Sequence, residues 1–255
     1  MLSHTTAAVK RTITPRHDNM LHAYNARFKV TPATTPALQD QAYRLRYQVY
    51  CCEHSYENPA EHPHQRETDH YDDRSAHSLL VDRTSGTTVG TVRLIFPDKN
   101  SRADSFPIQK VCSHPLLTDR KLHVTTAAAE ISRFAISKAY RKNAHAISDA
   151  VAADPSQLIP CITLGLFKAT LQMSFEHGIS NWFAVMEPAL LRLLSRFGIY
   201  FKPIGPLIDY HGMRQPCHAH VSSLLARVHQ EQPDIWDFVT DYGHSLFENR
   251  SFVTS

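Results

Sequence analysis

Apolar residues recur along this chain in two rhythms, one of two residues and one of three to four. ARFKVTPA (26–33) predicts a first strand closed by Pro32. Leu38, Ala42, Leu45, Val49 and Cys52 recur at helical spacing and predict an amphipathic helix over 36–54, which also carries Arg44 and Arg46. YENPAEHPHQR (56–66), polar and broken by two prolines, reads as loop. Two strands follow, about 77–83 and 87–96, joined by a turn at Thr84-Ser85-Gly86. Residues 97–125 read as irregular, with a short helical turn in PLLTDRKLH, and AEISRFAIS (129–137) reads as a strand of mixed polarity. A long helix is predicted from about Leu158 to Gly178, with Ile162, Leu166, Ala169, Leu171 and Phe175 on its apolar side. SNWFAVM (180–186) is a buried strand, EPALLRLLSRFG (187–198) a short helix, and IYFKPIGPLIDY (199–210) a final strand region. Two helices, 218–231 and 233–249, close the chain.

Three consecutive strands followed by an αβαβ half predict an α/β fold with a mixed sheet. The expected organisation is a loose polar tail (1–25), one domain (26–217) and a helical extension (218–255) packed on it. Composition changes this picture little. At 255 residues the chain can bury a real core, and a net charge of +3 is too small to argue for nucleic acid. No run of about 18 apolar residues suggests a spanning helix, and MLSHTTAAVKRTITPRHDNM lacks the apolar centre of a secretory signal. Five cysteines, none in a C-x-x-C pair, fit free thiols in a reducing cytoplasm.

Four features carry chemistry. In TVGTVRLIF, period-two alternation puts Val89, Thr91, Arg93 and Ile95 on one face, so Arg93 needs a partner if buried. The nearest acids are Glu67, Asp69, Asp72 and Asp73, just upstream. Glu130 and Arg133 form a second pair, but their odd separation puts them on opposite faces of a regular strand; they converge only across a bulge. The histidine pairs His62/His64 and His218/His220 lack zinc spacing, so no metal is expected. Cys161 at a helix start has no placed histidine partner and reads as a buried thiol. Neither G-x-S-x-G nor a P-loop occurs.

Taken in order, Arg46 in YRLRYQVY, Asp69 and Asp72 in ETDHYDD, Arg93 in GTVRL, and Glu130 and Arg133 in EISRF form a set that resembles the acyl-homoserine-lactone synthases and the long-chain N-acyl amino acid synthases. Both are similar in fold to the Gcn5-related N-acetyltransferases (GNAT). RYQVYCCE, ETDHYDDRSAH, GTVRLIFP, EISRFAISK, WFAVMEPALLRLLSRFGI and PIGPLIDYHGMRQP resemble more closely the acyltransferases associated with PEP-CTERM/exosortase systems, over roughly residues 40–217. The synthases' tryptophan after the first helix has no counterpart, since the aromatics there are Tyr50 and Tyr56, and with it goes a basis for expecting S-adenosylmethionine as acceptor.

The resemblance implies N-acyl transfer from a thioester to an amino-acid-like amine, without cofactor. Arg46, Arg93 and Arg133 would offset Asp69, Asp72 and Glu130 in one cluster that binds substrate. Glu130 or a water beside it would act as base, and Arg133 would stand in the catalytic strand. Trp182, Phe183 and the helix over 187–197 would line an acyl channel. Coenzyme A users of this fold hold pyrophosphate on a [QR]-x-x-G-x-[GA] loop, which ADPSQLIPCITLG lacks. An acyl carrier protein is therefore the expected donor, its acidic surface meeting Arg141 and Lys142. The alternatives are a coenzyme A-dependent acetyltransferase of the same fold and a non-catalytic acyl-binding module of an exosortase system.

Overall fold

The computed structural model describes residues 21–22, 24–98, 100–101, 104–118, 127–142 (without the side chains of 141 and 142) and 158–244. Eight strands form the sheet: β1 (Phe28–Pro32), β2 (Ser75–Asp82), β3 (Thr88–Ile95), β4 (Ala128–Ile136), β5 (Asn181–Met186), β6 (Lys202–Pro203), β7 (Ile208–Asp209) and β8 (Met213–His220). Their order is β1-β2-β3-β4-β5-β8-β6, with β7 paired to β8. Every pairing is antiparallel except β4–β5.

Alternation along the strands decides which helix covers which face. Leu79 and Val81 of β2 pack on Ala42 of α1 (Pro36–Tyr47), whereas Leu80 joins Val92 and Leu94 of β3 against α2 (Leu158–Glu176). Thr35 begins α1, its hydroxyl accepting from the Leu38 N–H. The α-helix ends sooner than the apolar period suggests. Gln48–Glu53 widens into a π-helical turn, sealed by a bond from the His54 N–H to the Val49 carbonyl.

The helix α2 is buried on nearly every side because β1–β3 lie under it and α5 (Pro233–Thr240) lies across it. It is long and apolar enough to cross a membrane, contrary to the expectation of no such stretch, yet 72% of its most apolar window is buried in this core. The approach to the sheet is closest at Gly165. A Cβ there would lie 2.6 Å from the Tyr24 ring and 2.9 Å from Leu80. Tyr24, inside the expected loose tail, is itself buried against Phe28 and Phe238.

The helix α3 (Pro188–Ser195) follows β5, and α4 (Val221–Glu231) precedes α5. Two expectations fail here. The final strand region holds only the two-residue β6 and β7, and the long strand is β8, whose first residues carried no assignment and whose last three, 218–220, were expected to begin a helix. Pro216 lies inside β8 and hides it, since proline reads against a strand interior. The helix that begins at Pro233 stops at Thr240, where Asp241 turns left-handed (φ 51), short of the expected 249; residues 245–249 lie outside the described residues.

Candidate active site

Strand β4 pairs with β5 only from Ala128/Asn181 to Ile131/Ala184. Beyond that point β4 follows β3 and leaves β5. The cause is a bulge. Thr91 and Arg93, two residues apart on β3, face Ala135 and Ser132, three apart on β4, and Arg133 takes φ 48. The extra residue reverses the alternation, so Arg133 and Ala135 fall on the face already holding Glu130 and Ser132. This is the bulge that the Glu130–Arg133 spacing required for convergence.

Two cavities meet there. The larger, about 330 Å³, lies where the strands separate; Phe134, Ile136, Met186, Ala189, Leu190 and Leu193 are among its apolar walls. The smaller, about 150 Å³, is lined by Asp69, Tyr71, Arg93, Lys110, Glu130 and Tyr210 among others. Tyr50, Ile131, Ser132, Arg133, Val185 and Arg214 line both. The π-turn sets Tyr50 under the Arg133 guanidinium, 5.0 Å from ring centre to Cζ.

A charge network floors the smaller cavity. Arg46, fully buried on α1, donates to Glu67 at 2.5 Å and to Asp72 at 2.7 and 3.2 Å. Arg93 donates to Asp69 at 2.6 and 3.0 Å, to Asp72 at 2.7 Å and to the Ser132 hydroxyl at 2.9 Å. Arg133 reaches Glu67 at 2.7 Å, Glu57 at 3.2 Å and Asp69 at 3.4 Å. Burial alone would raise the Glu67 carboxyl, but Arg46 and Arg133 outweigh it and hold the group at about 2. Asp72 is likewise penalised by burial and driven well below the usual carboxylate range by Arg46 and Arg93. His77 borders the network, its Nε2 3.6 Å from Asp72, and burial lowers it to about 4, so it stays neutral.

Glu130 stands apart from this network, contrary to the expected pairing. Its Oε2 accepts from the Ile108 N–H at 2.9 Å, and no ion pair is found for it among the described residues. Burial raises its pKa to about 8; the Ile108 N–H, then Arg93 and Arg133, offset only part of that. The third acidic partner is Glu67, with Glu57 beside it. Glu67 is visible in ETDHYDD, two residues before Asp69, but the matching D-x-x-D drew attention past it.

Trp182 and Phe183 line neither cavity. Trp182 faces α2, its Nε1 donating to Ser174 at 2.8 Å, while Phe183 packs on Phe106 and His218 in a second small core. Val185, two residues on, is the β5 residue that lines both cavities, and Met186 beside it lines the larger. The side chains of Arg141 and Lys142 lie outside the described residues. Cys161 is buried, and burial pushes its thiol up to about 12, unsuited to nucleophilic work. Tyr50, Tyr71, Ser132, Tyr210 and Arg214 lie within the family-like segments without an assigned role, and Lys110 lies outside them; the fold brings all six to the site.

Residues 45–148 match the family described as acetyltransferase (GNAT) domain. No curated protein matches the chain. Among solved structures, it is similar to TofI in a ternary complex with an inhibitor and MTA, with 21% identity and TM-score 0.53, over 82% of this chain and 99% of that one. It is similar to BjaI, a CoA-dependent acyl-homoserine lactone synthase, with MTA (21% identity, TM-score 0.52, 80% and 88% covered). It is also similar to MesI, a CoA-dependent acyl-homoserine lactone synthase (17% identity, TM-score 0.53, 85% and 95% covered). Residues 45–148 thus match a GNAT acetyltransferase domain, and the mixed, helix-flanked sheet has the fold of the acyl-CoA N-acyltransferases.

Proposed function

We propose that this chain is an N-acyltransferase that moves a long-chain acyl group from a thioester, carried by acyl carrier protein, to the amine of an amino-acid-like acceptor. The observation that carries the reading is the meeting of two cavities at the β4 bulge. The larger opens between the separated strands, lined by Phe134, Ile136, Met186, Leu190 and Leu193 together with Arg133, Glu187 and Arg214, and the smaller holds the buried Glu130 carboxyl. At about 330 Å³ the larger is within the usual range for ligand pockets, about 300–1,000 Å³.

The chemistry is aminolysis. The acceptor ammonium gives a proton to ionised Glu130, directly or through water; its nitrogen then bonds to the thioester carbon. The C–S bond breaks, and the thiolate leaves with the second proton of the attacking nitrogen, and that nitrogen becomes the amide N–H. Negative charge gathers on the thioester oxygen meanwhile, and the β4 edge beyond Ile131, free of β5, offers backbone N–H groups to it. No acyl-enzyme is needed. Arg46, Arg93 and Arg133 hold the 67–72 segment over the floor, so the acceptor meets a fixed surface.

The missing glycine loop in ADPSQLIPCITLG supports a carrier-protein donor. The CoA-dependence of BjaI and MesI favours a second reading, acyl-coenzyme A as donor. The six PEP-CTERM-like segments support work beside an exosortase system. Purified protein given matched acyl carrier protein and acyl-coenzyme A should show the higher kcat/KM with the carrier protein. Reversing Arg141 and Lys142 to Glu should raise KM for the carrier, less so at high salt. Equal kcat/KM for the two donors overturns the carrier assignment. Absence of any N-acyl product from either donor, and from lipid extracts of cells expressing the chain, overturns the function.

A further inference from the structure

On the reading above, ionised Glu130 takes the acceptor's proton, so the groups that hold its carboxyl bear on the rate. Among the described residues that carboxyl accepts one hydrogen bond, from the Ile108 N–H at 2.9 Å. The sequence around Ile108 explains why this N–H is free to give. The turn Pro107–Lys110 begins with a proline, which has no N–H, so Ile108 carries the first N–H of the turn. The first N–H groups of a helical turn find no partner within it. Ile108 is buried, so its N–H needs an acceptor from another element, and β4 supplies Glu130.

The turn itself is fixed from behind. Gln109 is half-buried and lines neither cavity. Its side-chain oxygen accepts from the Phe106 N–H at 2.8 Å, the return arm of a capping box. Its amide nitrogen donates to the Leu117 carbonyl at 3.0 Å. One side chain thus ties the entry to the turn to the helical turn Pro115–Thr118 beyond it. Glutamine suits this place because one neutral amide both accepts and donates.

Burial disfavours the ionised form of Glu130; of the influences that favour it, the Ile108 N–H is the largest, ahead of Arg93 and Arg133. The other groups facing the carboxyl come from elements that neither arm of Gln109 reaches. They are Arg93 from β3, Arg133 from β4, Asp69 from the 67–72 segment, Tyr210 from the turn between β7 and β8, and Cys217 from β8. Lys110 and Arg214 line the same cavity.

We infer that Gln109 is a positioning residue: by clamping Phe106 to Leu117 it holds the Ile108 N–H on the Glu130 carboxyl and keeps that carboxyl available as base. Gln109 touches no substrate and takes no part in bond making.

The test reads the carboxyl directly, with neither donor nor acceptor present. The ¹³C carboxyl resonance of Glu130, identified by its loss in Glu130→Gln, is titrated in wild type, Gln109→Met, Gln109→Asn and Leu116→Ala. A hydrogen bond to a charged group is worth about one to two units of titration midpoint. Gln109→Met should move the midpoint up by about one unit. Gln109→Asn, whose amide is one methylene short of bridging both partners, should move it up by less. Leu116→Ala trims the same small core and leaves both arms in place, so it should lower the melting temperature without moving the midpoint. In turnover, one unit corresponds to a roughly tenfold lower kcat/KM at pH 7 for Gln109→Met, a deficit that closes as pH rises above both midpoints. A merely structural role predicts a deficit constant across pH. Equal midpoints in wild type, Gln109→Met and Gln109→Asn, or a deficit that pH does not close, overturns the inference. If Gln109→Met does not fold, Gln109→Asn decides by the same criterion. An upward shift in a protein that transfers no acyl group upholds the clamp and removes the acyltransferase reading; unshifted midpoints with transfer intact do the reverse.

Discussion

In the proposed reaction Glu130 is the residue on which the chemistry turns, and its environment makes two opposed demands. Its folded pKa, about 8, lies above its unfolded value near 4.5, so the fold favours the neutral acid. The stability it contributes is full below pH 4.5 and is lost as pH rises toward 8. The bound ammonium pulls the other way and helps it ionise, as a nearby opposite charge does. Glu130→Gln keeps the size and an acceptor for the Ile108 N–H while removing the titration. At pH 8 the variant should melt no lower than wild type, yet turn over about 10²–10⁴-fold more slowly, and its kcat/KM should lose the rise that wild type shows through pH 8. Turnover near wild type in a well-folded variant would take Glu130 out of the mechanism; a lowered melting temperature with turnover retained would make it a structural group.

At the scale of elements, a helix meets a strand at one glycine. Alanine at position 165 would improve helix propensity by about 1 kcal/mol, so an argument from propensity predicts a gain. Contact predicts a loss, because the new methyl meets the buried Tyr24 ring and Leu80 inside van der Waals distance, and overpacking costs typically 1–3 kcal/mol. The net expectation for Gly165→Ala is a melting temperature lower by a few degrees, at roughly 2–4 °C per kcal/mol for a domain of this size. A melting temperature equal to or above wild type would mean that α2 and Tyr24 yield at no cost. The β4 bulge works at the same scale. One extra residue between Ser132 and Ala135 bends β4 from β5, opens the larger cavity and brings Arg133 round to the Glu130 face.

For the whole molecule, the three-arginine network joins α1, the 57–72 segment, β3 and β4 into one body. Glu67, Asp69 and Asp72 titrate below their unfolded values, so their contribution is complete above about pH 4.5 and is lost as pH falls toward the folded value of about 2 at Glu67. Urea unfolding midpoints of wild type should therefore fall steeply between pH 4.5 and 2. Glu67→Gln should begin lower at pH 7, since leaving Arg46 and Arg133 short of a partner costs roughly 3–5 kcal/mol, and should then decline less steeply in acid. Parallel pH dependences in the two proteins would show that Glu67 is not a principal acid-labile tie.

The alternation of apolar residues by itself determined the α/β class, the β2–β3 hairpin, the helices that bracket β5 and the demand of Arg93 for acidic partners, because these follow from spacing between near neighbours. Arg46, Asp69, Asp72, Arg93 and Arg133 were legible as a set through the resemblance that their short local motifs carry. Other outcomes rested on long-range pairing. Only the register of β3 on β4 places the bulge that turns Arg133 toward Glu130. Only the end of β4–β5 pairing makes Val185, rather than Trp182 or Phe183, the wall of the cavities. β8 escaped because Pro216 argues locally against a strand, whereas its hydrogen-bonding partners, β5 and β6, come from residues 181–203. Glu130 parted from the arginines because Glu67 reaches Arg46 and Arg133 first and the Ile108 N–H takes the carboxyl instead, a competition among groups up to 66 residues apart that only the tertiary structure decides.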